Sequence, residues 1–133
     1  MTNSRQRGAG FEREIAAEIR DALGVEVRRD LQQYQVSQRG DLIGVDGWVI
    51  ECKRRAVQRG QRYDPAWWRQ AEEAANAQCC EAVLIVRYDR QKPFCIVKLS
   101  SLNAEYAEKE DRVEITLGTW LMLVREGWAD EQT

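Results

Sequence analysis

The chain has 133 residues, of which 44% are hydrophobic and 32% are charged, a balance typical of one soluble globular domain with its own core. It contains no apolar run of roughly eighteen residues, so we expect no membrane-spanning helix. The opening segment MTNSRQRG lacks the apolar stretch of a secretory signal, and we therefore expect a cytoplasmic protein.

The residue types also exclude some kinds of site. The chain has no histidine, so catalysis by an imidazole is excluded. Its four cysteines contain no CxxC pair, which argues against a zinc site, and we expect reduced, mostly buried thiols at Cys52, Cys79, Cys80 and Cys95.

The net charge of −2 is unevenly distributed along the chain. Residues 1–62 hold 12 Lys/Arg against 9 Asp/Glu, a balance of +3, whereas residues 63–133 hold 8 against 13, a balance of −5. Local potential matters more than the total charge for meeting phosphate groups. A surface that contacts an acidic partner is therefore expected in the first half, although an ordinary solvated surface would show the same excess.

Hydrophobic periodicity and turn residues predict alternating helices and strands in one domain. In the first helix, Glu12 falls inside the apolar arc, so we expect this carboxylate to have a partner. The strands 41–45 and 48–53 form a hairpin at Asp46-Gly47. The predicted helices are 10–23, 65–78 and 119–126, and the predicted strands are 25–29, 41–45, 48–53, 81–89, 94–99 and 113–117.

This order predicts an α/β fold in which helices flank a mixed β-sheet. The single domain covers residues 1–133, with a core at about 8–100 and a strand–helix extension at about 112–128. The apolar tail helix either covers the sheet or forms a homodimer contact. Trp68 fits the core face of the second helix, whereas the adjacent Trp67 either packs or stacks on a base.

The stretch 40–55, GDLIGVDGWVIECKRR, carries charged residues on an otherwise apolar hairpin. Alternation along WVIECK puts Glu51 and Lys53 on one face of the strand. A two-residue turn would pair Asp41 with Cys52, on the opposite face. A three-residue turn at 45–47 with Gly47 left-handed, or an equivalent bend, would instead set Asp41 beside Glu51.

Two converging carboxylates repel each other unless a cation lies between them. Mg²⁺ fits such a pair because it binds one or two carboxylates together with water and phosphate oxygens. Glu12 can add a further carboxylate, and Lys53 can stabilise the charge of a phosphorane or position the attacking water. The pattern indicates phosphodiester hydrolysis; the alternative is an exposed face of an edge strand.

The segments RGAGFEREIAAEI, VRR, RGDLIGV and VIECK, within residues 7–99, resemble the PD-(D/E)XK nuclease superfamily, and within it the archaeal-type Holliday junction resolvases. The resemblance implies a restriction-endonuclease-like core in αβββαβ order and an endonuclease that cleaves branched DNA with Mg²⁺, or with Mn²⁺ as substitute. A homodimer would suit symmetric cleavage of a junction. It implies metal ligation by Glu12, Asp41, Glu51 and the carbonyl of Cys52, catalysis by Lys53, and assistance from Gln70.

The chain departs from the superfamily pattern at Gly40, which stands in the place of a proline. The same motifs are equally similar to virus-type replication-repair nucleases and to other phage nucleases, in which case the compartment would be the cytoplasm of a host cell. A third alternative is a DNA-binding or assembly module of this fold whose site is unused.

Basic residues near these motifs are the candidates for contacts with DNA phosphates, which give affinity without reading sequence. The loop 54–63 leaves the catalytic strand directly, and we expect it to be mobile and to become ordered on DNA; the alternative is an ordinary solvated loop. The candidates are Arg7, Arg13, Arg29, Arg39, Arg54, Arg55, Arg59 and Arg62, with Arg5 and Arg28 in the wider pool and Ser37 by its resemblance to a serine of the resolvases.

Overall fold

The computed structural model describes the backbone of residues 4–31 and 40–131 and the side chains of residues 8–31 and 40–127. A short 3-10 helix, Ala104–Tyr106, precedes the last strand. The helices are α1 (Ser4–Leu23), α2 (Pro65–Ala77), α3 (Leu99–Leu102) and α4 (Leu117–Glu131), and the strands are β1 (Arg28–Arg29), β2 (Leu42–Ile43), β3 (Trp48–Arg55), β4 (Glu81–Tyr88), β5 (Phe94–Lys98) and β6 (Arg112–Thr116).

The six strands form one mixed sheet in the order β1-β2-β3-β4-β5-β6. Only β3 and β4 run parallel, and α2 makes the crossover between them, while the other neighbours are antiparallel. The prediction of an α/β fold with a mixed, helix-flanked sheet is confirmed.

Each face of the sheet is covered by a separate set of apolar side chains. On one face, Ile15 and Ile19 of α1 pack with Trp120 of α4. On the other face, Trp68 and Ala71 of α2 pack against the sheet. Strand β4 is buried from Ala82 through Val86, as expected of an almost continuous apolar run covered on both faces.

The tail helix covers the sheet, which is one of the two roles predicted for it. Trp120, Leu121 and Val124 are buried in the same cluster as α1, and the rings of Trp120 and Trp48 meet edge to face with their centroids 5.6 Å apart. Met122 remains nearly half exposed on the outer side.

Several element boundaries differ from the sequence-based expectations. The first helix begins at Ser4 rather than Gly10. Strand β3 continues through Arg54 and Arg55, which were predicted to start the basic loop, because both residues pair with β4 up to Tyr88. Leu99, predicted to end a strand, begins the short helix α3 instead.

The thiols are free, but the expectation that most are buried is right for only two of them. Cys52 and Cys95 are buried, whereas Cys80 is half-buried and Cys79 is exposed. Cys79 and Cys80 lie in the turn that follows α2, outside the periodic segments that bury apolar side chains.

None of the helices in the described ranges is both long and apolar enough to cross a lipid bilayer.

Candidate active site at the mouth of the central hairpin

The hairpin register brings Asp41 to Glu51. Leu42 pairs with Ile50, and the amide of Asp41 donates to the carbonyl of Ile50 at 2.8 Å. Counting one residue outward on both strands from this pair sets Asp41 opposite Glu51. Gly47 has the left-handed φ of +86° that the three-residue turn requires. Of the two registers that the sequence allowed, the structure adopts the one that a metal site needs.

Gly40 explains how the chain enters this hairpin. Its φ is +82°, and a Cβ at this position would lie 2.8 Å from Cγ1 of Val49. Proline cannot adopt that conformation because its ring holds φ near −65°. The departure from the superfamily pattern at Gly40 is therefore a consequence of how this backbone approaches Asp41.

Asp41 and Glu51 form an acidic pair in which Glu51 is buried and Asp41 is partly buried. The amide of Cys52 donates to Oδ2 of Asp41 at 2.7 Å, which fixes the direction of that carboxylate. Glu51 is only 1% exposed, and its Oε2 accepts no hydrogen bond from the described residues. We call these two side chains the Asp41–Glu51 pair.

The pKa values of both carboxyl groups of the pair are raised. Burial, together with the neighbouring carboxylate of Asp41, raises the pKa of Glu51 from 4.5 to about 9. Burial also raises the pKa of Asp41, against the opposing effect of the Cys52 amide. The unpartnered Oε2 and the raised pKa values both describe a place where a positive charge is favoured.

Lys53 lies on the same side of β3 as Glu51 and is bound by α2. Its Nζ donates to Oε1 of Gln70 at 3.0 Å, and its positive charge lowers the pKa of both Asp41 and Glu51. The structure thus places the amide oxygen of Gln70, an exposed side chain of α2, against the ammonium group.

Glu12 reaches the rim of the site from α1 but is held by an arginine. It is 5% exposed, and its Oε2 accepts a hydrogen bond from Nε of Arg29 at 2.6 Å. Its charge contributes to the raised pKa of Glu51, which places it near the Asp41–Glu51 pair. Among the described residues, no group of three or more His, Cys, Asp or Glu side chains is arranged to hold a metal.

Of the groups of Cys52, only the backbone carbonyl suits a hard cation. Its thiol is buried on the α1 face, and burial raises the pKa of the thiol well above its usual value, with Asp41, Glu12 and Glu51 adding to the effect. Because the N–H and C=O of a strand residue point to the same side, the carbonyl lies on the side of β3 that faces Asp41.

The candidate DNA-contact residues fall into three groups. Arg13 and Arg59 are exposed and form no ion pair with the described residues, and Arg55 is exposed beside Trp67. By contrast, Arg29 binds Glu12, Arg54 binds Asp89 at 2.5 Å, and Arg62 binds Glu114 at 2.8 Å. Ser37 and Arg39, and the side chains of Arg5 and Arg7, lie outside the described residues.

The basic loop is fastened at Arg62, a role that the sequence did not reveal. The guanidinium of Arg62 lies 3.8 Å from the ring centroid of Phe94 and donates to Glu114 and Gln58. The hydroxyl of Tyr88 donates to its carbonyl at 2.8 Å. Contacts across such sequence separations leave no periodic signal, so pattern analysis could not have found them.

Asp30, directly after β1, is a second residue of the site region for which the sequence pattern predicted no role. It is 2% exposed, and its amide donates to the carbonyl of Asp41 at 2.9 Å. It therefore helps to hold the backbone of the hairpin that carries the Asp41–Glu51 pair from the β1 side.

The family model described as "Phage putative PDDEXK endonuclease" matches residues 3–125. Among solved structures, the fold is similar to Hjc, a Holliday junction resolvase from the archaeal hyperthermophile Archaeoglobus fulgidus, with a TM-score of 0.51 and 18% sequence identity over 84% of this chain and 85% of that chain. No curated protein sequence matches the chain significantly.

Proposed function

Because the chain belongs to the phage PDDEXK endonuclease family, we propose that it is a divalent-metal-dependent DNA endonuclease whose active site is the Asp41–Glu51 pair with Lys53. The observation that carries the proposal is the convergence of these side chains. A buried and a partly buried carboxyl group share one side of the hairpin, Oε2 of Glu51 accepts no hydrogen bond from the described residues, and a lysine held by Gln70 lies next to them.

The donor set fits Mg²⁺, with Mn²⁺ as a substitute, because hard cations prefer carboxylate and carbonyl oxygens. Asp41, Glu51 and the carbonyl of Cys52 would hold the ion, with Glu12 as a further ligand once its carboxylate is shared with Arg29. When bound, the ion would supply Lewis-acid activation of the phosphodiester and of the attacking water.

The protein's own groups contribute orientation and charge. The Cys52 amide orients Asp41, and Gln70 holds the Lys53 ammonium at the open side of the pair. Lys53 is positioned to stabilise negative charge that develops on the phosphate oxygens. Exposed arginines beside the site, above all Arg59, would hold the DNA backbone.

We further propose that the substrate is branched DNA, such as a four-way junction, cut by a homodimer. A two-fold dimer presents two identical sites, which suits symmetric cleavage of a two-fold junction. The fold shared with Hjc supports this choice, and the mass of the particle in solution, measured by light scattering with and without junction DNA, tests the dimer.

The test is a cleavage panel of four-way junction, flap, duplex and single-stranded DNA with Mg²⁺, Mn²⁺ or EDTA. We expect metal-dependent cleavage of the junction, and a loss of roughly 100-fold or more in Asp41→Asn, Glu51→Gln and Lys53→Ala. Glu73→Gln and Lys92→Ala, exposed positions outside the site, serve as matched controls.

The panel also separates the alternatives. Preferred cleavage of the flap would favour a virus-type replication-repair nuclease over a resolvase. Metal-dependent cleavage that is equal in wild type and in the three variants would reject this active site. DNA binding without cleavage of any substrate, with no heat of Mg²⁺ or Mn²⁺ binding by calorimetry, would favour a module with an unused site.

A further inference from the structure

A cavity of about 580 Å³ opens between the basic loop and the start of α2. Its walls are aromatic and basic, with Tyr63, Trp67 and Tyr88 beside Arg55 and Arg59. The volume lies within the roughly 300–1,000 Å³ of small-molecule sites. We call this space the loop cavity.

The loop cavity lies next to the candidate active site along β3 and α2. Arg55 follows Lys53 by two residues on β3, and Trp67 precedes Gln70 by three residues on α2. The contact of Lys53 with Gln70 at 3.0 Å is therefore followed by the contact of Arg55 with Trp67, where the guanidinium lies 5.0 Å from the ring centroid. Two strand residues span about 6.6 Å, so the cavity adjoins the position of the cleaved phosphate.

The chemistry of the walls favours a nucleobase over an isolated anion. Trp67 is only half-buried and is covered by an exposed guanidinium, an arrangement that offers a flat stacking surface. Asp64 also lines the cavity, and its Oδ1 accepts from the amide of Ala66 at 2.9 Å. A carboxylate at this position repels a free phosphate but can accept from a base amino group.

The walls of the cavity are held in place before any ligand arrives. The Tyr88 hydroxyl donates to the carbonyl of Arg62, and Arg62 is fastened to Glu114. Asp64 caps α2 and so fixes the turn that carries Trp67. Because the aromatic surface is preformed, the protein loses little conformational entropy when a base stacks on it.

We propose that the loop cavity binds one unpaired nucleotide of the DNA, with its base on the Trp67–Arg55 surface and its phosphate near Arg59. Stacking on aromatic side chains and contact with arginine are how proteins bind single-stranded nucleic acid without reading its sequence. The inference rests on the proposed function because it takes DNA as the substrate. The feature that the protein recognises would be an unpaired nucleotide next to the cleavage point.

The test uses duplexes that carry 2-aminopurine either as a single unpaired base or paired within the helix, in EDTA so that no cleavage occurs. We expect wild type to quench the unpaired probe and to bind that DNA more tightly than the paired duplex. Trp67→Leu keeps an apolar side chain in the packing but removes the aromatic face. It should abolish the quenching and lower the preference by about five- to a hundredfold.

Two further variants complete the experiment. Trp67→Phe should retain the quenching, and Tyr106→Ala, which removes an exposed aromatic ring outside the cavity, should behave like wild type. Thermal melting of each variant checks that the fold is retained. Equal binding of both duplexes by wild type, equal losses on both in Trp67→Leu, or a failure of Trp67→Phe to retain the quenching would overturn the inference.

The outcome is independent of the proposed activity. Quenching that depends on Trp67 in a protein that cleaves no DNA would support the loop cavity while rejecting the nuclease proposal. Cleavage that depends on Asp41 and Glu51, in a protein whose probe fluorescence is the same with and without Trp67, would support the nuclease proposal and reject the loop cavity proposal.

Discussion

The Asp41–Glu51 pair makes the stability of the metal-free protein depend on pH in an unusual direction. The pKa of Glu51 is raised from 4.5 to about 9 on folding, so between these pH values the folded protein keeps a proton that the unfolded chain releases. The free energy of unfolding therefore falls as the pH rises from about 4.5 to about 9, by at most about 1.4 kcal/mol per pH unit.

Denaturant titrations in EDTA across this pH range measure the effect. Glu51→Gln has no carboxyl group to titrate, so its stability should change much less with pH. Adding Mg²⁺ should raise the stability of wild type more at pH 8 than at pH 6, because the cation then competes with fewer protons. A wild-type stability in EDTA that rises between pH 5 and pH 8 would contradict the raised pKa.

Gly44 is the residue at which a single methyl group should be most disruptive. Its φ is +119°, and a Cβ would lie 2.4 Å from the carbonyl oxygen of Glu26 and 2.9 Å from Cα of Val27. Because both are backbone atoms, the steric clash could be relieved only if the chain segments at β1 and β2 moved apart. We expect Gly44→Ala to lower the free energy of unfolding by roughly 3 kcal/mol or more.

Gly60 offers the matched control for this prediction. It also has a left-handed φ, +69°, but a Cβ there would meet no atom within 4 Å. Gly60→Ala should therefore show only the conformational cost, about 1–2 kcal/mol. Equal losses of stability in the two variants, measured by urea denaturation, would show that the close approach at Gly44 is unimportant.

At the scale of single elements, the sequence predicted the structure well where periodicity or capping decides it. Asp64 with Pro65 marks the start of α2, and the apolar run of β4 identifies the central strand. The hairpin was left with two registers, because residue alternation fixes which side chains share a face of one strand but not how the two strands align. Gly47 and the bend at Asp41 decide between them.

Side-chain contacts between elements that are distant in the sequence could not be predicted from the sequence pattern. The sequence indicated that Glu12 needs a partner, since its position lies in the apolar arc of α1, but nothing in the pattern named Arg29. Likewise, Arg62 was predicted to contact DNA, and its partner Glu114 lies fifty-two residues away. Such pairs depend on how the elements pack, which local propensity does not determine.

The loop 54–63 provides a prediction at this scale. Since Glu114 fastens Arg62 to β6, Glu114→Ala should loosen the loop without unfolding the domain. Amides of residues 56–63 should exchange hydrogen faster, while global stability changes by less than about 1 kcal/mol, as for other exposed ion pairs.

Glu72→Ala is the control for this prediction, because it removes a comparable ion pair with Lys98 away from the loop. It should leave the exchange of the loop amides unchanged. Unaltered exchange in Glu114→Ala would mean that Phe94 and Tyr88 hold the loop without the ion pair, and equal acceleration in both variants would point to a general loss of stability.

For the whole molecule, the question is how a chain with a net charge of −2 binds DNA. The arginines near the site are not equivalent. Arg54 and Arg62 are already neutralised by Asp89 and Glu114, whereas Arg59 is exposed without an ion pair to any described residue. Only cations that meet phosphate and release counterions contribute to the salt dependence of binding.

This difference predicts the result of salt titrations. Fluorescence anisotropy of labelled junction DNA, measured in EDTA between low and moderate salt, gives the slope of log K against log salt. Arg59→Ala should make the slope shallower by about 0.9, the loss expected for one phosphate contact. Arg54→Ala should change it little, because Arg54 is already paired with Asp89 and therefore releases no counterion from a phosphate.

Arg90→Ala is the control, since this exposed arginine lies in the turn between β4 and β5 rather than beside the loop cavity. Its slope should equal that of wild type. If the alanine variants of Arg59, Arg54 and Arg90 all reduced the slope of log K against log salt by the same amount, DNA would be bound by diffuse positive charge over the surface. A loss confined to Arg59 would instead place the phosphates beside the loop cavity, two residues along β3 from Lys53.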